Sequence, residues 1–284
     1  MQKKILSVTK IVGIFGNPIS HSLSPLMHNS WFKKYKLNFV YLAFNIFLQN
    51  LKSAVESIKS LNIVGVNVTV PYKVEVMKYL DEIDVDAKNI GSVNTIVNKN
   101  NKLYGYNTDW LGFIEDLKCK NVNLKNKQVL VVGAGGASKA ILYALNKLEV
   151  KQIYLTSRTF SKSKLVSKKY KNISVIDIKK VPCDMLKNVD CLINCSTCGM
   201  KKDDKLPFEI KSFKQNIIFY DIIYNKLTPF KQFALKNIWG KNVSISYTIY
   251  SLSCNHILLC FKYNKCNNNF IFVSCIIVYY NQNK

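Results

Sequence analysis

Short apolar runs alternate with amphipathic segments over most of residues 10–235. The runs have the length and the branched or aromatic composition of buried strands, and the segments between them carry apolar residues at helical spacing. Strands separated by helices predict βαβ units and an α/β fold with a mainly parallel sheet. The predicted strands are 11–15, 39–44, 64–68, 93–97, 128–132, 152–156, 191–194 and 217–221, and the predicted helices are 26–35, 51–61, 74–80, 137–148 and 161–170.

The first strand ends in a pattern that predicts an anion site. Gly16-Asn17-Pro18 breaks the apolar run, and Ser22, Ser24 and Pro25 follow. We expect Ser24 to cap a helix whose first residue is Pro25, because a hydroxyl accepts from free N–H groups and Pro loses no hydrogen bond there. A helix N-terminus beside two hydroxyls can bind a carboxylate or a phosphate. An ordinary capped helix without a ligand is the alternative.

A second candidate site is the turn Gly133-Ala134-Gly135-Gly136-Ala137-Ser138. It follows the buried strand 128–132 and precedes a predicted helix, which is the context of a dinucleotide-binding turn. Glycines there let the backbone approach a pyrophosphate, and Ser138 replaces the usual third glycine while still allowing close packing. A tight turn that binds nothing is the alternative.

Three further blocks place polar residues at predicted strand ends. They are Asn67-Val68-Thr69-Val70-Pro71-Tyr72-Lys73, then Gly91-Ser92-Val93-Asn94-Thr95, then Tyr106-Asn107-Thr108-Asp109-Trp110-Leu111-Gly112-Phe113. With the two sites above, in this order, the chain resembles the shikimate dehydrogenase family over residues 10–235. The resemblance implies two α/β domains: a substrate-binding catalytic domain over 1–107 and a Rossmann-like NADP-binding domain over 108–237. Residues 238–284 form an atypical tail in place of the family's C-terminal helices.

The resemblance implies NADPH-dependent, reversible reduction of 3-dehydroshikimate to shikimate in the chorismate pathway of aromatic amino-acid biosynthesis. Lys73 and Asp109 become the catalytic pair beside the substrate carbonyl. Ser22 and Ser24 would bind the substrate carboxylate, and Asp109 the ring hydroxyls together with Thr69 and Asn94. Tyr224 would complete the far wall, whereas His21 mainly shapes its loop. The implied substrate-binding residues are therefore Ser22, Ser24, Thr69, Asn94 and Tyr224.

Cofactor choice is indicated by the residues after the second strand of the cofactor domain. Arg158 follows that strand, and Lys162 lies four residues on, with no acid between them. A cation there favours the 2′-phosphate of NADP(H), whereas NAD binders carry Asp or Glu. The family places the cofactor against Gly133, Ala134, Gly135, Gly136, Ala137, Ser157, Arg158, Thr159, Lys162, Thr197 and Ile222.

Charge and cysteine content narrow the function class. The formal net charge is +24, but the lysines are scattered and form no stripe with interleaved aromatics, so nucleic-acid binding is not expected. The positive field favours an anionic substrate and a phosphate-rich cofactor. With no signal peptide or membrane segment, we expect a cytoplasmic monomer or homodimer. Its nine cysteines should be reduced thiols, and Cys195 and Cys198 lack the partners of a metal site.

The tail leaves alternatives open. Residues 238–284 contain no Asp, Glu or Pro and one Gly, which resembles an A/T-rich gene read out of frame and predicts a segment without a well-packed fold. The chain could be an active dehydrogenase with a divergent tail, a decayed or frame-shifted copy, a quinate/shikimate variant, or a non-enzymatic binding module. Retained Lys73 and Asp109 argue against the binding module.

Overall fold

A computed structural model describes residues 5–182, 184–201, 203–223 and 227–237. The described chain divides into two compact units between Thr108 and Asp109. Predictions for Tyr224 and for residues 238–284 fall outside the described residues. None of the helices in the described ranges combines the length and apolar character that crossing a lipid bilayer requires.

The N-terminal unit contains a six-stranded sheet with strand order β2-β1-β3-β5-β6-β4. The β1–β2, β1–β3 and β4–β6 pairs are parallel, and the β3–β5 and β5–β6 pairs are antiparallel, so the sheet is mixed. Its strands are β1 (Lys10–Gly16), β2 (Phe39–Asn45), β3 (Gly65–Val68), β4 (Glu82–Ile83), β5 (Thr95–Lys99) and β6 (Lys102–Tyr106). Its α-helices are α1 (Ser24–Lys34), α2 (Leu51–Ser60) and α3 (Val85–Ile90).

Helices cover both faces of this sheet. Alternate residues of β1 point to opposite faces, so Val12 and Ile14 pack with Phe32 of α1, whereas Phe15 packs with Leu51 and the rest of the apolar face of α2. All five side chains are at most 7 % exposed. The two apolar layers fix the strands and therefore the positions at which the loops leave the sheet.

The antiparallel part of the sheet arises from a hairpin that the periodicity did not predict. Asn100 and Asn101 join β5 to β6 with φ values of 50° and 61°. Asparagine tolerates this left-handed region, and two such residues in succession make the two-residue turn that matches strand twist. The strand predicted at 93–97 therefore forms at Thr95–Lys99. After it, the chain reverses direction and continues as β6, antiparallel to β5.

The helix predicted over 74–80 is not an α-helix. Glu75–Tyr79 forms a short 3-10 helix instead. The segment has two β-branched residues, Val74 and Val76, which lose rotamer freedom in an α-helix. Val76 is fully buried against the α2 side of the sheet, so low helix propensity and the packing of Val76 together explain the local structure.

The C-terminal unit has a five-stranded parallel sheet with strand order β11-β10-β7-β8-β9. The α/β class expected from the sequence is confirmed. The strands are β7 (Gln128–Val132), β8 (Gln152–Ser157), β9 (Ile173–Asp177), β10 (Cys191–Asn194) and β11 (Ile218–Asp221). The helices are α4 (Asp109–Cys119), α5 (Gly136–Lys147), α6 (Phe160–Ser167) and α7 (Pro229–Asn237).

Candidate functional site

The candidate substrate residues of the N-terminal unit lie at one edge of its sheet. Ser22 and Ser24 follow β1, and Thr69 and Lys73 follow β3, at the carboxyl ends of two parallel strands. Asn94 precedes β5, which runs antiparallel to β3 with Thr95 opposite Asn67. An antiparallel strand begins at the edge where its neighbour ends. The topology therefore collects these candidate residues at one edge.

The loop after β1 differs in detail from the expected cap. Ser24 is the first residue of α1 and Pro25 the second. The N-cap is Leu23, whose apolar side chain makes no capping hydrogen bond. The prediction that Ser24 caps the helix was therefore wrong. The hydroxyl of Ser22 instead accepts from the backbone N–H of Ser24 at 3.3 Å. Both serines are half-buried, and each hydroxyl lies beside the N-terminal turn, where the helix dipole favours an anion.

Backbone hydrogen bonds connect the loops after β1 and β3. The N–H of Thr69 donates to the carbonyl of Phe15 at 2.9 Å, and the N–H of Asn17 donates to Val70 at 3.2 Å. A Cβ on Gly16 would lie 2.5 Å from Cγ2 of Thr69, so only glycine allows this approach. The carbonyl of Lys73 accepts from Val93 at 2.7 Å, which fixes the main chain that carries the half-buried Lys73 side chain.

Asn94 is oriented by the residue that precedes Asp109. Its Oδ1 accepts from the N–H of Thr108 at 3.1 Å, and its Nδ2 donates to Oγ1 of Thr108 at 2.9 Å. The neighbouring Asn107 is buried and donates to the carbonyl and hydroxyl of Ser92, both at 2.9 Å. These bonds hold the segment that leads into α4, whose first residue is Asp109.

The glycine-rich turn of the C-terminal unit has the geometry of a nucleotide cradle. Gly133 has φ of +120°, and a Cβ on it would lie 2.8 Å from the backbone of Cys195. Among the described residues, by contrast, no atom would lie within 4 Å of a Cβ on Gly135. Gly135 is the N-cap of α5 with φ of −88° and no side-chain cap. Open space beside a helix N-terminus whose N-cap residue is glycine fits a phosphate group.

Ser138 stabilises this turn from within. It is fully buried, and its hydroxyl donates to the carbonyl of Gly133. Ser138, which replaces the third glycine, therefore stabilises the connection between β7 and α5. Ala134, Gly136 and Ala137 lie half-buried around the exposed Gly135, so the cofactor residues predicted for this turn are grouped together.

The residues after β8 separate into an inner and an outer set. Arg158, Thr159 and Lys162 are exposed, and no acid lies between Arg158 and Lys162 in the sequence. Ser157 is buried, and its hydroxyl lies 2.7 Å from that of Ser163 and donates to the carbonyl of Thr159 at 3.0 Å. Ser157 thus shapes the turn that presents the exposed cations.

Two buried polar residues hold the loops that carry Thr197 and Ile222. Asn194 ends β10 and Asp221 ends β11, next to each other in register. The Oδ1 of Asn194 accepts from the N–H and the hydroxyl of Ser196 at 3.1 and 2.7 Å. The N–H of Ile222 donates to the carbonyl of Asn194 at 3.1 Å. Thr197 is exposed and Ile222 is half-buried beside this network.

Burial changes the ionisation of groups in this network. Burial raises the pKa of the Asp221 carboxyl, although it accepts from Thr228, Ile223 and Asn194. Burial lowers the pKa of Lys231 on α7, whose ammonium donates to the carbonyl of Ile223. The sequence analysis did not predict this network. The available signal was that two apolar strands each end in a polar residue, Asn194 and Asp221.

The parallel sheet, the glycine-rich turn and the cations after β8 place the chain in the broad class of Rossmann-type dinucleotide-binding proteins. Family models match the "shikimate dehydrogenase substrate binding domain" at residues 14–96 and "shikimate / quinate 5-dehydrogenase" at residues 116–222. A shikimate dehydrogenase (NADP(+)) of Methanococcus maripaludis is 42% identical over 229 residues, which is 78% of this chain and 81% of the relative. The chain belongs to the shikimate dehydrogenase family.

Solved structures agree with this assignment. Shikimate dehydrogenase from Aquifex aeolicus superposes with a TM-score of 0.81 at 35% identity, covering 94% of this chain and 96% of that protein. The Thermus thermophilus enzyme, solved in complex with NADP(H) and shikimate, gives a TM-score of 0.76 at 26% identity, with coverages of 88% and 92%. The family resemblance inferred from the sequence motifs is confirmed.

Proposed function

We propose that this chain catalyses the reversible, NADPH-dependent reduction of 3-dehydroshikimate to shikimate. The observation that carries the proposal is the combination of the open Gly135 cradle with exposed Arg158 and Lys162 in a chain of this family. The relatives, which are named shikimate dehydrogenase (NADP(+)), favour this reaction over a quinate variant and over a binding module. Turnover by the full chain distinguishes an active copy from a decayed one.

The cofactor residues are proposed from the geometry of the C-terminal unit. The α5 N-terminus and the turn around Gly135 would hold the pyrophosphate. Arg158 and Lys162 would hold the 2′-phosphate, since a guanidinium binds phosphate in a bidentate manner. Thr159, Thr197 and Ile222 would line the rest of the cofactor. Bound NADPH supplies the reducing equivalent, and the chain's own residues orient the substrate and handle the proton.

The substrate residues are proposed from the N-terminal unit. Ser22 and Ser24 would hold the carboxylate at the start of α1, and Thr69 and Asn94 the ring hydroxyls. Lys73 would donate a proton to the carbonyl oxygen as that atom gains negative charge. Asp109 would bind a ring hydroxyl and act with Lys73 as the second catalytic residue. Tyr224, outside the described residues, stays a predicted substrate ligand.

The test is turnover by the full chain, followed through the absorbance of NADPH. We expect oxidation of NADPH with 3-dehydroshikimate and reduction of NADP+ with shikimate. Quinate in place of shikimate tests the quinate variant, and NADH in place of NADPH tests cofactor choice. Absence of turnover by a folded protein that binds NADPH would contradict the proposed activity.

Location and assembly remain predictions from the sequence. We propose a cytoplasmic protein that is a monomer or a homodimer. In the described part of the chain, Cys119, Cys191, Cys195 and Cys198 take part in no disulfide, and reduced thiols are usual in the cytosol. Size-exclusion chromatography with light scattering would give the oligomeric state.

A further inference from the structure

A chain of hydrogen bonds crosses the N-terminal sheet from β2 to the residue before Asp109. The hydroxyl of Tyr41 donates to Oδ1 of Asn67 at 2.6 Å. Nδ2 of Asn67 then faces Oγ1 of Thr95 at 3.4 Å and the carbonyl of Asn94 at 3.5 Å. Oγ1 of Thr95 donates to Oδ1 of Asn94 at 2.9 Å, and the N–H of Thr108 donates to that same oxygen.

Each residue in this series of hydrogen bonds is held by its position in the sheet. Tyr41 is 2 % exposed and Thr95 is 2 % exposed, while Asn67 and Asn94 are 8 % and 7 % exposed. Asn67 and Thr95 are direct cross-strand partners. The Tyr41 ring stacks on His28 with centroids 4.2 Å apart and planes at 6°, which fixes the direction of its hydroxyl. Buried polar groups in such a series orient one another.

We infer that Tyr41 is a positioning residue, which acts through Asn67 and Thr95 to set the orientation of Asn94 and the place of Thr108. The inference rests on the proposed function, in which Asn94 binds a ring hydroxyl of the substrate. Tyr41 itself touches no reacting group in this scheme. Its hydroxyl favours one orientation of the Asn67 amide, because the amide oxygen accepts from Tyr41 while the amide nitrogen faces Thr95.

The variant Tyr41→Phe removes the hydroxyl and keeps the ring that stacks on His28. We expect kcat/KM for 3-dehydroshikimate to fall about tenfold, with KM for NADPH unchanged, because only substrate orientation is altered. Tyr154→Phe is the matched control, since Tyr154 donates to the side-chain amide oxygen of Gln128 at 3.1 Å across neighbouring strands. Gln128 begins β7, at the opposite end of that strand from the glycine-rich turn. Loss of the Tyr154–Gln128 hydrogen bond should therefore leave kcat/KM unchanged.

Substitutions of Thr95 test the middle of this series of hydrogen bonds. Thr95→Val keeps the shape and removes the hydroxyl, whereas Thr95→Ser keeps the hydroxyl. We expect the first to lose about as much kcat/KM as Tyr41→Phe and the second to retain most of it. If both act through Asn94, the double variant loses little more than either single variant. Losses that multiply to about a hundredfold would overturn the inference.

Hydrogen exchange tests the inference independently of turnover. The Thr108 amide donates to Asn94, so its exchange should accelerate at least about tenfold in Tyr41→Phe, while the amides of β1 keep their rates. Unchanged exchange at Thr108 would overturn the positioning role even if the wild type proved active. Accelerated exchange in a protein without turnover would support the positioning role and count against the proposed function alone.

Discussion

Nδ2 of Asn194 donates to Oδ1 of Asp221 at 3.1 Å, joining the ends of two neighbouring strands inside the C-terminal unit. Both residues are at most 1 % exposed. The side-chain oxygen of Asn194 also accepts from Ser196. One side-chain amide therefore holds the loop after β10 and donates a hydrogen bond to the carboxylate that ends β11. This buried contact therefore joins the starting points of the two loops that carry Thr197 and Ile222.

Replacing Asn194 by Ala should destabilise the unit by about 1–3 kcal/mol, because a buried carboxylate loses a donor and Ser196 loses an acceptor. NADPH affinity should also fall, since the loop carrying Thr197 is released. Urea unfolding and a cofactor titration measure the two effects. Asn123→Ala is the control, because exposed Asn123 accepts from the nearby N–H of Lys125. A loss of stability no larger than in this control would contradict the role of Asn194.

Most of the fold could be predicted from hydrophobic periodicity, because strands and helices here bury continuous apolar faces. The strand 128–132 and the helix after it are clear examples, and they formed at Gln128–Val132 and Gly136–Lys147. One element that periodicity missed depends on two polar residues. The β5–β6 hairpin rests on Asn100 and Asn101 in the left-handed region, and no apolar pattern marks such a turn.

The candidate site was predictable in composition but not in its supporting contacts. The motifs named Asn94, yet its partner Thr108 became visible only from the antiparallel register of β5 and β6. Ser157 was predicted as a cofactor ligand, whereas the structure shows its hydroxyl bonded to Ser163. Sequence spacing places a residue near a strand end, but packing decides whether its side chain faces the core or solvent.

His28 should make stability depend on pH. Burial lowers its pKa from 6.5 to about 3. The unfolded chain takes up a proton below pH 6.5 while the folded chain does not, so stability falls as pH drops from about 6.5 toward 3. The expected slope is about 1.4 kcal/mol per pH unit across that range. Urea unfolding at several pH values measures it.

His28→Phe keeps an aromatic ring against Tyr41 and removes this titration. Its stability should fall less steeply than that of the wild type between pH 6 and about pH 4, by about one proton's slope. Parallel slopes for wild type and His28→Phe would show that His28 does not remain neutral in the folded protein.

Arg158 should set the preference for NADPH. Arg158→Asp places a carboxylate where we propose the 2′-phosphate binds, so NADPH should bind at least about tenfold more weakly, which is about 1.4 kcal/mol. NADH, which lacks this phosphate, should bind no worse. Lys168→Asp makes a similar charge change at an exposed position beyond α6 and should leave the preference intact. Equal affinity of the wild type for both cofactors would refute the assignment.

Gly133 and Gly135 should respond oppositely to substitution. Gly133→Ala forces a side chain into φ of +120° and against Cys195, so it should destabilise the unit by about 2 kcal/mol or more. Gly135→Val places its side chain in open space. It should leave the thermal midpoint nearly unchanged and weaken NADPH binding at least about tenfold, because the side chain fills the proposed cradle. Unaltered NADPH binding by Gly135→Val would remove the cradle from the proposal.

Lys73 is the residue on which the proposed chemistry depends most. Lys73→Ala removes a proton donor and a positive charge that stabilise the developing oxyanion, so kcat should fall about 10²-fold or more. NADPH affinity should not change, because Lys73 is not one of the proposed cofactor-binding residues. Lys52→Ala is the matched control, since Lys52 is exposed on α2 and its ion pair with Glu56 at 3.9 Å is exposed too. Both variants lose one lysine from the same unit, so a difference in kcat between them reports position and not net charge. A near-normal kcat in Lys73→Ala would assign the proton transfer to another group.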